Sequence, residues 1–171
     1  MKQLGLALMA GGMLLAGPAL GREYFVGGPV HANDMEIVAN YLVGIEMAPM
    51  PAGMAMQGAD VIHLEADVHA TADNVYGYPD GSWVPYLTIE YSLVKIGSDW
   101  TAKGRLLPMT ASDGPHYANN LKMDGPGSYQ LTYRFVPPEA NGFYRHIDKE
   151  TGVKEWWAPF EQKFSFAYPV K

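Results

Sequence analysis

Residues 61–70 read Val-Ile-His-Leu-Glu-Ala-Asp-Val-His-Ala. Read at period two, this stretch predicts a β-strand with Ile62, Leu64, Ala66, Val68 and Ala70 on one face. His63, Glu65, Asp67 and His69 fall on the other. The apolar set is a normal core face. The opposite set places four titratable side chains in a row with no hydroxyl or amide between them. A solvated outer face is one explanation. Such faces, however, are usually built from Lys, Thr and Glu. Imidazole alternating with carboxylate is also what a metal ion takes from a strand. The choice between the two depends on which other segments converge on this face.

The stretch lies in a chain that begins with an export signal. Met1-Lys2 gives a basic start, Leu4–Leu20 is apolar and uncharged, and Ala19-Leu20-Gly21 reads as a small-x-small cleavage site. Residues 1–21 are therefore expected to be a signal peptide, cleaved near Gly21, and residues 22–171 a single exported, periplasmic domain. Without Lys2, eleven basic residues face eighteen acidic ones, a net charge of about −7. That balance argues against nucleic acid or an anionic membrane surface as the main partner. About 150 residues can bury a core without staples. The chain has no Cys, which excludes disulfides, a His-His-Cys blue-copper centre, a zinc ribbon and iron–sulfur clusters.

Around the central stretch the chain reads as short strands separated by turns. Residues 22–34 form an extended lead-in broken by Gly27-Gly28-Pro29, with His31 exposed in it. Residues 35–47 favour a strand through Ile37, Val38, Tyr41, Val43 and Ile45. Asp73–Gly81 is dense in turn residues. Leu87, Ile89, Tyr91 and Leu93 alternate with polar positions, residues 128–136 alternate again, and Phe164, Phe166 and Tyr168 share a face of the last strand. Only 153–157 hints at a short turn of helix. Seven or so short strands of this kind predict an all-β, immunoglobulin-like β-sandwich.

Three further segments carry candidate ligands. Residues 107–123 read as a loop in which the turn Asp113-Gly114-Pro115 separates Met109 from His116. Residues 142–157 place His146 just past a strand end. For these side chains, packing and plain exposure compete with coordination. Between Met47 and Met56 a Pro/Gly loop holds four methionines, the others being Met50 and Met54. A thioether cluster of that kind can collect cuprous ions. It can equally be a soft hydrophobic edge loop, and no supporting imidazole is adjacent in sequence.

The same words carry a family resemblance. Ile45-Glu-Met, Ile62-His-Leu-Glu-Ala-Asp-Val-His-Ala, Trp83-Val-Pro-Tyr-Leu-Thr-Ile, Leu107-Pro-Met with Asp113-Gly-Pro-His-Tyr, and Arg145-His-Ile-Asp-Lys-Glu-Thr-Gly-Val span nearly the whole mature chain. In these the chain resembles the periplasmic iron-transport accessory proteins that bind copper and are encoded beside high-affinity iron permeases. The resemblance implies an immunoglobulin-like sandwich, a homodimer and transient contact with an inner-membrane iron permease. It implies copper ligation by His63, Met109, His116 and His146, the last from its own or the second subunit. It places Glu65 and Asp113 beside them, in copper relocation or iron binding, and leaves Met50, Met54 and Met56 without a role.

Three imidazoles and a thioether form a borderline-soft set that suits copper, whereas the two carboxylates are the hard oxygen donors iron prefers. The expected function is therefore a copper- and iron-binding protein supporting iron uptake, with copper electron transfer as a further role. No catalytic residue is assigned. A periplasmic copper chaperone or copper-resistance protein is the competing binding role. A copper oxidase or superoxide scavenger would need an open coordination position. A purely structural sandwich would hold no stoichiometric metal. Trp156, Trp157 and Phe160 beside His146 are expected at the dimer contact.

Overall fold

Ile62, Leu64, Ala66, Val68 and Ala70 are all buried in the core, and His63, Glu65, Asp67 and His69 occupy the opposite face of the same strand. The period-two alternation of the opening stretch is thus the alternation of the folded chain. The computed structural model describes residues 22–56 and 58–169. The expected signal peptide and its cleavage position lie outside the described residues.

Eight strands follow in chain order: β1 (Tyr24–Ala32), β2 (Met35–Leu42), β3 (Val61–Ala70), β4 (Thr88–Lys95), β5 (Thr101–Ala111), β6 (Gly114–Lys122), β7 (Gly127–Val136) and β8 (Phe160–Tyr168). All neighbours are antiparallel, in the order β1-β2-β3-β6-β5-β4-β7-β8. The turning point is β5. Its first half, Thr101–Leu106, pairs with β4, and its second half, Leu107–Ala111, pairs with β6. The two ends of the order approach each other where β1 meets β8. A Cβ on Gly27 would lie 2.5 Å from the Phe164 ring, so only glycine permits the approach. The result is all-β, as expected, in a nearly closed, barrel-like sheet.

Strand β3 changes partner on one edge. Val61–Ala66 pair with β6, and the ladder ends at Ala66 opposite Tyr117. Beyond it, Val84 N–H donates to Val68 C=O (3.0 Å) and Ala70 N–H to Ser82 C=O (2.8 Å). Tyr117 fixes that incoming segment from the core side. Its hydroxyl donates to Val84 C=O (2.8 Å) and accepts from Leu87 N–H (3.0 Å).

Several sequence expectations shift. Residues 107–122 belong to the β5–β6 hairpin, and Pro108 and Pro115 sit within its paired strands. The lead-in 22–34 contains β1, whose pairing with β2 skips register around Gly27 and Val30. Residues 153–157 form no helix; the one helical turn among the described residues is Pro138–Asn141. Trp156 and Trp157 are buried within the chain itself, against the Tyr76 ring at 5.3 and 5.0 Å. Their size is therefore spent on this chain's own core and gives no reason to place them at a subunit contact.

Candidate metal centre

The register of three strands gathers the site. On β3, His63 stands opposite Asn120 of β6, and Glu65 opposite Ala118. On the hairpin, Met109 of β5 stands opposite His116 of β6. His63, Glu65 and His116 are 3%, 8% and 6% exposed, and one donor atom from each lies within 4.8 Å of the others. The His116 Nδ1 to Glu65 Oε1 distance is 3.7 Å, and the two imidazoles meet edge to face at 6.0 Å. Glu23, Met109 and Asp113 line the same cavity, of about 1060 Å³.

Hydrogen bonding fixes the His63 tautomer. Asn120 Nδ2 donates to Met54 C=O (2.8 Å), so Asn120 Oδ1 is what faces His63 Nδ1, at 2.7 Å. Oδ1 can only accept, so Nδ1 carries the proton and Nε2 keeps its lone pair for a metal ion. Burial, opposed by the Asn120 hydrogen bond, pushes the His63 pKa below its ordinary value and so favours the neutral, ligating form. Tyr133 O–H, from the core, donates to Glu65 C=O (2.9 Å) and anchors β3 behind the site.

The carboxylates repel one another. Burial first, and then the charges of Asp67, Glu23 and Asp113, raise the Glu65 pKa to about 8. Glu23 is also raised, by burial and by Asp67. Asn40, buried on β2, donates one amide nitrogen to Glu23 and to Asp67, the latter at 3.2 Å. A cation would remove this strain by replacing the Glu65 proton. Two neutral nitrogens, one carboxylate and a nearby thioether form a donor set that fits copper.

Of the six residues expected in the site, five line this cavity: His63, Glu65, Met109, Asp113 and His116. His146 does not. It is exposed, and its Nδ1 faces Thr151 Oγ1 at 2.7 Å. Because that hydroxyl donates to Asp148 Oδ2 (2.8 Å), it accepts from His146, which leaves His146 Nε2 free in solvent. His31 is exposed, as expected, 3.3 Å from Glu36. Sequence reasoning missed Asn120, whose Asn-Asn context reads as a turn. Its spacing of four from His116 along one strand face would have located it. It also missed Glu23, for which the sequence offers no signal.

Comparison with known proteins agrees with this geometry. A family model described as Fe2+ transport protein matches residues 20–169. A UPF0423 protein of Brucella abortus is 44% identical over 159 residues, covering 91% of this chain and 87% of that protein. A copper-bound variant of FetP from uropathogenic Escherichia coli strain F11 superposes with a TM-score of 0.81 at 46% identity, covering 88% of this chain and 99% of that one. Copper-reconstituted P19 from Campylobacter jejuni gives 0.81 at 44% identity, covering 87% and 98%.

Proposed function

Because the chain belongs to the Fe2+ transport protein family, we propose that it is a periplasmic protein that binds copper and iron and supports iron uptake through an inner-membrane permease. The observation that carries this is the convergence of His63, Glu65 and His116 in one buried cluster, with Met109 lining the same cavity. The similar FetP was expressed in the periplasm, and structures of both FetP and P19 are copper-bound. Copper takes the imidazoles and the thioether. Iron takes the carboxylate side, at Glu65 and Asp113.

In this reading the sheet halves either side of β5 face each other as an immunoglobulin-like sandwich, and two chains form a homodimer. The free Nε2 of His146 supports its serving as a ligand in the second subunit's cavity. The test is metal analysis of protein purified from the periplasm, joined to growth of a deletion strain on limiting iron. Stoichiometric copper and an iron-limited growth defect are expected. A defect under copper excess alone would replace iron uptake by copper handling, and protein without stoichiometric metal would overturn the function.

A further inference from the structure

The four-methionine loop has an imidazole beside it after all. Residues 44–49 and Pro51 form one wall of the main cavity, where Met47 lines it together with Met109 and His63. A smaller cavity of about 330 Å³ adjoins it, lined by Met56, Glu46, Asn120 and again His63. His63 and Glu46 are therefore common to both. Thioethers thus line both of the cavities that share this imidazole, whose Nε2 lone pair is free.

Packing accounts for only part of the loop. Met54 is 1% exposed and belongs to the core, whereas Met50 and Met56 are each 43% exposed. Side chains so open to water gain little from burial. The backbone ties Met56 to His63 through a short chain of hydrogen bonds. Met56 N–H donates to Met54 C=O (2.8 Å), which also accepts from Asn120, the residue that holds His63 Nδ1. The backbone of Met56 is thus tied to the imidazole through the contact that sets its tautomer.

We propose that the smaller cavity is a cuprous-ion entry site, in which Met56 takes up copper beside Glu46 and passes it by way of His63 to the Met47 and Met109 thioethers. Neutral sulfur donors select the soft cuprous ion over iron. Hard cations have their own approach through Glu23 and Asp113 on the main cavity. Each transfer is an exchange of one neutral ligand for the next, with no change of oxidation state. The inference rests on the copper-binding function proposed above.

The experiment measures anaerobic transfer of Cu(I) from its bicinchoninate complex to the mature chain by stopped-flow absorbance. Wild type is compared with Met56→Leu, a substitution that keeps volume and apolar character. Loading should slow about tenfold in Met56→Leu, while equilibrium Cu(I) affinity changes less than about threefold and Cu(II) loading is unaltered. Unaltered Cu(II) loading also shows that the variants are folded, and Met56→Ser provides a second removal of the thioether at the exposed position. Equal Cu(I) loading rates in all proteins would overturn the entry site while leaving the central site intact. Wild type that binds no Cu(I) at any concentration would overturn the copper function and the entry site with it.

Discussion

His63 and Asn120 face each other across β3 and β6 and share a hydrogen bond of 2.7 Å. Since the other end of the same amide carries Met54 C=O, one side chain sets the tautomer of a candidate ligand and the position of the loop beside it. Replacing Asn120 with Leu should lower copper affinity about 10- to 100-fold, the usual cost of losing a ligand's outer partner. Competition titration against a copper chelator measures it. Asn120→Asp keeps the acceptor for His63 and loses the loop donor, so it should retain more of the affinity.

Met109→Leu and Glu65→Gln should separate the two kinds of donor. The first preserves volume and removes the only thioether opposite His116, so cuprous affinity should fall far more than cupric affinity. The second keeps shape and removes an anionic oxygen, so iron or manganese binding should weaken while cuprous binding is nearly intact. Calorimetry with each metal distinguishes them. Equal losses across all metals would mean a single undifferentiated site.

The metal-free protein should lose stability as pH rises from about 6.5 to about 8. Glu65 is raised to about 8 when folded from an ordinary 4.5. Over that interval the folded chain holds a proton that the unfolded chain has released, so raising the pH favours unfolding. His63, lowered on folding, acts oppositely and only below its ordinary 6.5. A melting temperature that falls above pH 6.5, with the slope flattened in Glu65→Gln, is the expected result. Metal affinity should rise over the same interval, because the ion displaces the Glu65 proton.

Tyr117→Phe should cost about 3 kcal/mol, because it leaves Val84 C=O and Leu87 N–H buried without their partner. For a domain of this size that is a fall of roughly 10 °C in melting temperature. Copper stoichiometry should be unchanged, since the hydroxyl lies on the core side of β6.

If His146 serves the second subunit's cavity, His63→Ala and His146→Ala protomers should complement each other. Mixed after joint refolding, they should recover one full-affinity copper site per heterodimer, while each variant alone has none. Light scattering should show the dimer at micromolar concentration. A monomer with and without copper would rule out the shared site.

The site was legible where one strand held it. The alternation in 61–70 assigned His63 and Glu65 to a face directly, because the even positions are uniformly apolar. His116 and Met109 were recognisable as residues but not as a cross-strand pair. Pro108, Gly114 and Pro115 read as loop signals, and the ladder that aligns them depends on long-range pairing, which no local pattern encodes. Asn120 escaped because an amide acts here through both ends at once, a role visible only when Met54 and His63 are on either side of it. The packing of Trp156 and Trp157 within the chain was illegible for a related reason. Large aromatics suit an interface or a core equally well, and their packing on Tyr76 and Phe143 depends on long-range contacts.

The β3–β6 ladder stops at Ala66 and Tyr117, one residue short of His116, while β3 goes on to bond residues 82–84. The cluster therefore sits at a fork, where two strands that were zipped together part. An ion shared by His63, Glu65 and His116 would act as a rivet at that fork, joining β3 to β6 just where backbone bonding gives out. Occupancy would then be felt along the strand as well as in the cavity. Loaded protein should resist peeling of the β5–β6 hairpin, and the amides of Gly114 and of residues 116–118 should exchange with solvent more slowly than in the metal-free chain.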